Sequence, residues 1–135
     1  MKQQALDFLE KSKEVALATT DGVKPAIRIF QIMHREGDIF YFATAVHKDV
    51  YRQLQVNPNI EIMAFNDNIF SRLAGKAVFD VPDALQQQIY NDNPVLPRLY
   101  KDYQALVYFR LEPEEMSYYD LTPTPPTNYS YKFNN

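Results

Sequence analysis

The run Val15-Ala16-Leu17-Ala18-Thr19-Thr20-Asp21-Gly22-Val23-Lys24-Pro25-Ala26-Ile27-Arg28-Ile29-Phe30-Gln31-Ile32-Met33-His34 decides the architecture. Its first six residues suit a strand. They end in Asp21-Gly22, the strongest short hairpin signal in the chain, because both residues tolerate positive φ. Lys24 to His34 then reads as one long strand. A period of two puts Ala26, Arg28, Phe30, Ile32 and His34 on one face, with Pro25, Ile27, Ile29, Gln31 and Met33 on the other. Both faces are largely apolar, whereas a hairpin with one wet face alternates apolar with polar. The sheet therefore needs two covers. One face fills a barrel, and the other most simply packs against a second copy of the chain.

Upstream, Ala5, Leu6, Leu9 and Ser12 recur at helical spacing within Gln3 to Lys13 and predict a short amphipathic helix. Downstream, Arg35-Glu36-Gly37-Asp38 is a turn and Ile39-Phe40-Tyr41-Phe42-Ala43 a third strand. A helix opening at Val46 or Lys48 stops at Asn57-Pro58, since proline pushes the preceding residue out of helical angles. Asn59 to Asn66 and Ser71 to Val81 are the fourth and fifth strands. Pro82-Asp83 starts a helix through Tyr90, which Asn93-Pro94 and Pro97 break, with a further turn or two over Val95 to Asp102. Ala105 to Leu111 is the sixth strand, extended by Met116 to Leu121. Thr122-Pro123-Thr124-Pro125-Pro126 is too rich in proline for a ladder, so residues 122–135 are expected as an extended tail on one domain of residues 1–121. The expected fold is mainly β, or α+β by helix content: a six-stranded split β-barrel with short flanking helices, homodimeric.

Composition narrows the function. With 135 residues, 46% apolar and 23% charged, the chain is ordinary globular material with room for one core. Gly22, Gly37 and Gly75 are too dispersed for a glycine loop that cradles phosphate. Absent cysteine excludes disulfides, thiolate nucleophiles, Cys-ligated zinc and iron–sulfur clusters. His34 and His47 lie on different elements and match no metal or triad spacing, so no catalytic side chain and no metal are expected. Glu114-Glu115 beside Pro113 reads as a solvated bend. A net charge of −3 argues against nucleic-acid binding. Met1-Lys2-Gln3-Gln4 leads into no signal-peptide core, and no run reaches the ~18 apolar residues of a membrane span, so the expected setting is cytoplasmic without a membrane partner.

Two cations stand out. Arg28 sits mid-strand between Ile27 and Ile29, where a guanidinium must find an anion. Either a cross-strand carboxylate pairs with it, or it serves as a ligand, its planar fork suiting phosphate. Lys48 opens a helix, where the macrodipole disfavours a cation unless an anion lies between it and the helix amides. The alternative is a lysine pointing into water. Ala43, Thr44 and Ala45, small and just ahead of that helix, allow close approach to the backbone. The aromatics Phe30, Tyr41, Phe42, Phe65 and Phe70 suit either a core or the wall of a flat conjugated ring.

Four stretches in order carry a resemblance: Val15 to Pro25 as quoted, Ile39-Phe40-Tyr41-Phe42-Ala43-Thr44, Lys48 followed by Leu54-Gln55-Val56-Asn57-Pro58-Asn59-Ile60, and Arg72-Leu73-Ala74-Gly75-Lys76-Ala77. Together they resemble the pyridoxamine 5′-phosphate oxidase-like, FMN-binding split-barrel superfamily. The resemblance implies a homodimer with two FMN molecules in clefts between subunits. It implies that Arg28 and Lys48 bind the FMN phosphate and that Ile29, Phe30, Gln31, Tyr41, Phe42, Ala43 and Thr44 line the isoalloxazine. Ser71 and Arg72 are implied contacts from one subunit or the other. His47 stands where oxidases of the family often carry an arginine, which removes one fixed charge. The chain has no Trp and lacks the Arg- and Trp-rich carboxy-terminal region that holds pyridoxal phosphate, so oxidation of pyridoxamine phosphate itself is not expected. It is similar to the short general-stress and nitroimidazole-resistance-like branches. The resemblance also extends to relatives that use the deazaflavin F420 and to others that bind haem, whose iron His34 or His47 could in principle ligate.

The functional expectation is an FMN-dependent oxidoreductase in which the flavin supplies the redox chemistry. The rival is a non-catalytic flavin-binding, storage or sensing dimer, with Tyr129, Tyr131 and Phe133 gripping a partner. A lower rival is a vestigial barrel with an empty cleft.

Overall fold

The computed structural model describes residues 1–134. Helix α1 (Lys2–Ser12) buries Ala5, Leu6 and Leu9, the face their spacing predicts. Strands β1 (Glu14–Thr20) and β2 (Pro25–Gln31) form the expected hairpin, paired from Glu14 opposite Gln31 to Thr20 opposite Pro25. In its loop the Asp21 carboxylate accepts the Val23 and Lys24 amides at 2.8 Å, and Gly22 takes φ 98°. The long strand expected from Lys24 to His34 is broken at Ile32-Met33. There the Ile32 amide donates to the Lys13 carbonyl at 2.7 Å and the Met33 amide to the Tyr41 carbonyl at 2.9 Å. The chain thus leaves β1 and joins a different strand, forming β3 (His34–Glu36) against β4 (Ile39–Thr44).

Helix α2 (Asp49–Val56) ends before Pro58 as expected. Strands β5 (Asn59–Asn66) and β6 (Ile69–Val78) are joined by Asp67-Asn68 at φ 51° and 63°, a tight hairpin made without glycine because Asp and Asn tolerate the left-handed region. Helices α3 (Asp83–Asp92) and α4 (Val95–Leu99) and a 3-10 turn at Tyr103–Ala105 lead into β7 (Val107–Asp120) and β8 (Thr127–Lys132).

The strands make one antiparallel sheet in the order β2-β1-β5-β6-β7-β4-β3, with β8 beside β7. The two ends of that order, β2 and β3, are consecutive in sequence, so the sheet curls into a half-barrel joined at the Ile32-Met33 corner. One edge of β7 serves two neighbours: Val107 to Leu111 pairs with β4, and Glu115 to Asp120 with β8. Where the neighbour changes, the register against β6 shifts at Ala74/Gly75. Gly75 approaches β7 so closely that a Cβ would overlap the Glu112 carbonyl oxygen.

The sheet has eight strands where six were expected, because β3 and β8 are additional. The prolines keep residues 122–126 out of the ladder, but Thr127–Lys132 takes the edge of β7 that β4 leaves free. The expectation that the whole of 122–135 stays an unpaired tail is corrected for those six residues, and residue 135 lies outside the described ones.

Leu17, Phe42, Ile62, Leu73 and Phe109 fill the barrel under Leu6 and Leu9 of α1. A smaller cluster joins Ile89 of α3 and Leu96 of α4 to Tyr41 and Tyr108. The outer face of β1, β2 and β5 is bare. Ile27 and Phe65 are 69% and 61% exposed, and Ala16 pairs with Ile29 on one side and Met63 on the other. Among the described residues no helix is long and apolar enough to cross a membrane.

Candidate functional site

A cleft of about 610 Å³ opens between β2, the end of β4, α2 and the α4 segment. It exists because the corner at Ile32-Met33 joins β2 to β3 rather than letting β2 pair with β4. Arg28 and Gln31 from β2, Thr44 from β4 with the small Ala43 beside it, and Lys48, Asp49 and Gln53 from the α2 segment line its polar part. Met33, Val95, Leu96, Leu99, Tyr100 and Leu106 line its apolar part. The volume and the mixture of few polar groups with apolar walls are those of a small-molecule site.

Arg28 is the centre of the polar part. Its Nη1 donates to the Thr19 hydroxyl at 2.8 Å and the Leu17 carbonyl at 3.3 Å, and its Nη2 donates to Gln53 Oε1 at 2.6 Å. Thr19 in turn donates to the same Gln53 oxygen at 2.6 Å. The oxygen assignment of Gln53 follows from these partners, since a guanidinium only donates. Arg28 makes no ion pair among the described residues, unlike the other half-buried arginines. Arg35 pairs with Asp7 and Glu10 at 2.7 and 2.8 Å, Arg72 with Glu61 at 3.4 Å, and Arg110 with Glu112 at 3.0 Å. Burial pulls the Arg28 guanidinium below its usual range and the charge of Asp49 only partly opposes this. At Arg35 burial acts the same way, but Asp7 and Glu10 outweigh it and hold that guanidinium above its usual range. The cross-strand carboxylate that would have explained Arg28 is not there.

Lys48 is the N-cap residue of α2, with extended backbone (φ −81°, ψ 145°) and no side-chain hydrogen bond or ion pair among the described residues. It is exposed. Asp49, beside it on the cleft, is engaged with Arg52 at 3.1 Å. The Thr44 hydroxyl and the Gln31 amide also make no hydrogen bond to described residues, so the cleft presents two cations, a hydroxyl and an amide that the fold leaves available.

Of the residues singled out in the sequence, Arg28, Ile29, Phe30, Gln31, Ala43, Thr44 and Lys48 line this one cleft. Five do not. Phe42 is fully buried and stacks on Phe109 at 5.4 Å, and Tyr41 lies in the smaller cluster with its hydroxyl on Glu36. His47 is exposed in the turn before α2. Ser71 is buried and donates to the Ala5 carbonyl at 3.1 Å. Arg72 lies on the outer sheet face, in register with Met63 and Ser117. His34 also stands outside, 3.1 Å from Glu36. The sequence reading missed Thr19, Gln53 and the α4 wall. A two-residue turn at Asp21-Gly22 and the four-residue loop actually formed, which sets Leu17 opposite Arg28, both put Thr19 on Arg28's face, a signal that was available. Gln53 depends on how α2 lies on the sheet, which no local pattern reveals.

The family model described as pyridoxamine 5′-phosphate oxidase matches residues 1–120. No curated protein sequence matches the chain. Among solved structures, a NimC/NimA family protein from Clostridium acetobutylicum is 21% identical with a TM-score of 0.79, covering 96% of this chain and 92% of that one. General stress protein 26 from Bacillus anthracis is 16% identical with a TM-score of 0.77, covering 96% and 98%. A pyridoxamine 5′-phosphate oxidase-related, FMN-binding protein from Nostoc punctiforme is 18% identical with a TM-score of 0.71, covering 99% and 89%. At these identities the likeness is one of fold. The family match takes in α1 and every strand from β1 to β7, and by it the chain belongs to the pyridoxamine 5′-phosphate oxidase family.

Proposed function

We propose that this protein is an FMN-binding flavoprotein and an oxidoreductase, working as a homodimer. The observation that carries the reading is Arg28: among the described residues it alone of the half-buried arginines lacks a carboxylate, and it lines the cleft. A desolvated cation without an anion is costly unless a ligand supplies one. Arg28 and Lys48 would hold the phosphate at the N-terminus of α2, where the Tyr51 amide already turns back to the Lys48 carbonyl and the amides ahead of it point outward. Asp49 opposes an anion there, but its engagement with Arg52 and its exposure weaken that opposition. Gln31 and Thr44 would meet the polar edge of the ring system, and Met33, Leu99 and Tyr100 would keep water from it. Bound in this cleft, FMN supplies electron or hydride transfer, which the side chains do not offer. The relative from Nostoc described as FMN-binding supports the same ligand.

The bare outer face supports the dimer. Ile27, Ile29, Met63 and Phe65 form an apolar strip that adjoins the cleft through Ile29, so a second copy would cover the strip and wall the cleft together. The reading is tested by the absorbance spectrum of the purified protein, before and after adding FMN. A flavin spectrum that anaerobic NAD(P)H bleaches is the expected result. A spectrum that NAD(P)H leaves unchanged favours the non-catalytic binder, and failure to take up FMN contradicts both.

A further inference from the structure

Five N–H groups project from the Arg28 guanidinium. Three are engaged: two on Nη1, by Thr19 and Leu17, and one on Nη2, by Gln53. The Thr19 and Gln53 oxygens are themselves 2.6 Å apart, the spacing of acceptors that share the Nη1/Nη2 edge. The side edge, Nε–H with the second Nη2–H, has no partner among the described residues. That edge is a parallel pair of donors, the arrangement that takes two oxygens of one phosphate.

What holds the guanidinium in this orientation is neutral. Gln53 Oε1 accepts from both Arg28 and Thr19, and Thr19, 3% exposed, closes the triangle. A glutamate at 53 would have the same length and acceptor position but would cancel the charge it orients. We infer that Gln53, with Thr19, is the positioning residue that sets selectivity for a phosphomonoester, holding one edge of Arg28 with uncharged acceptors so that its charge and its other edge remain for the ligand. This inference rests on the reading above that the cleft takes the phosphate of FMN. The Gln53 amide nitrogen, which donates to no described residue, adds a further donor on the same wall.

The test compares FMN with riboflavin, which lacks the phosphate, by fluorescence titration of the full-length parent, Gln53→Glu and Gln53→Met, with the melting temperature of each ligand-free protein measured alongside. The parent is expected to prefer FMN. Gln53→Glu is expected to weaken FMN by roughly tenfold to a hundredfold, leave riboflavin within about twofold, and melt no lower than the parent, because it adds an ion pair to Arg28. A merely structural role would lower both affinities together with the melting temperature. Should Gln53→Glu not fold, Gln53→Met carries the test, with a smaller loss confined to FMN. If the parent prefers FMN and that preference survives the substitution, this inference is overturned and the flavin-phosphate reading stands. If the parent binds FMN no more tightly than riboflavin, both are overturned.

Discussion

Thr19 shows how a single buried hydroxyl supports a site it does not line. It accepts from Arg28 and donates to Gln53, so its removal leaves Nη1 with only the 3.3 Å contact to Leu17. Thr19→Val is expected to cost about 1–2 kcal/mol of stability in chemical denaturation and to weaken FMN as well, since the Arg28 fork loses one of its three acceptors. Unchanged stability would mean that the triangle is loose in solution. At this scale the sequence was informative wherever a residue broke its local pattern. Arg28 among isoleucines, and Lys48 at a helix start, are both misplaced unless something pairs with them. Tyr41 and Phe42 break no pattern. Both faces of β4 are buried, one towards each cluster, so aromatic residues there serve packing whether or not a ring binds nearby.

At the level of elements, the hairpins were legible because their turn chemistry is local. Asp21-Gly22 marked the first, and the Asp21 carboxylate held by two amides is what makes that loop specific. Backbone hydrogen bonds from Lys24 and Val23 hold this carboxyl below the usual carboxylate range. A depressed folded value means its contribution is complete above the ordinary carboxylate pKa and is lost as pH falls through the folded one. Thermal melts across the acid range should therefore show a shallower pH dependence for Asp21→Asn than for the parent; parallel curves would show that the loop bonds add nothing. The departures from expectation, the break at Ile32-Met33 and the pairing of β8, are tertiary. Nothing within either segment states that β2 and β3 must meet different neighbours, or that half of one edge of β7 is vacant. Gly75 lies on that same strand system, pressed against β7. Gly75→Ala is expected to destabilise the fold by roughly 1–3 kcal/mol or more through a clash with backbone, read as a lower denaturation midpoint. A neutral outcome would mean β6 and β7 sit further apart than described.

For the whole molecule, the half-barrel explains why one cleft and one bare face adjoin. A sheet that closes fully has no open seam between β2 and β4; here the seam stays open, and the outward side chains Ile27, Ile29, Met63 and Phe65 beside it are apolar. If the bare face is the seam between two copies, sedimentation velocity will report the mass of two chains. Phe65→Lys, on the exposed strip but outside the cleft lining, should shift the protein towards monomer and weaken FMN as the second wall is lost. A parent that sediments as a monomer would contradict the assembly. The measurement that bears most directly on the central claim is FMN titration of the Arg28→Ala/Lys48→Ala double variant beside the parent. The double variant is expected to stay folded, as its circular dichroism would show, and to take up no FMN at concentrations that saturate the parent. A folded double variant that binds FMN as tightly as the parent would show that these two cations do not hold the phosphate.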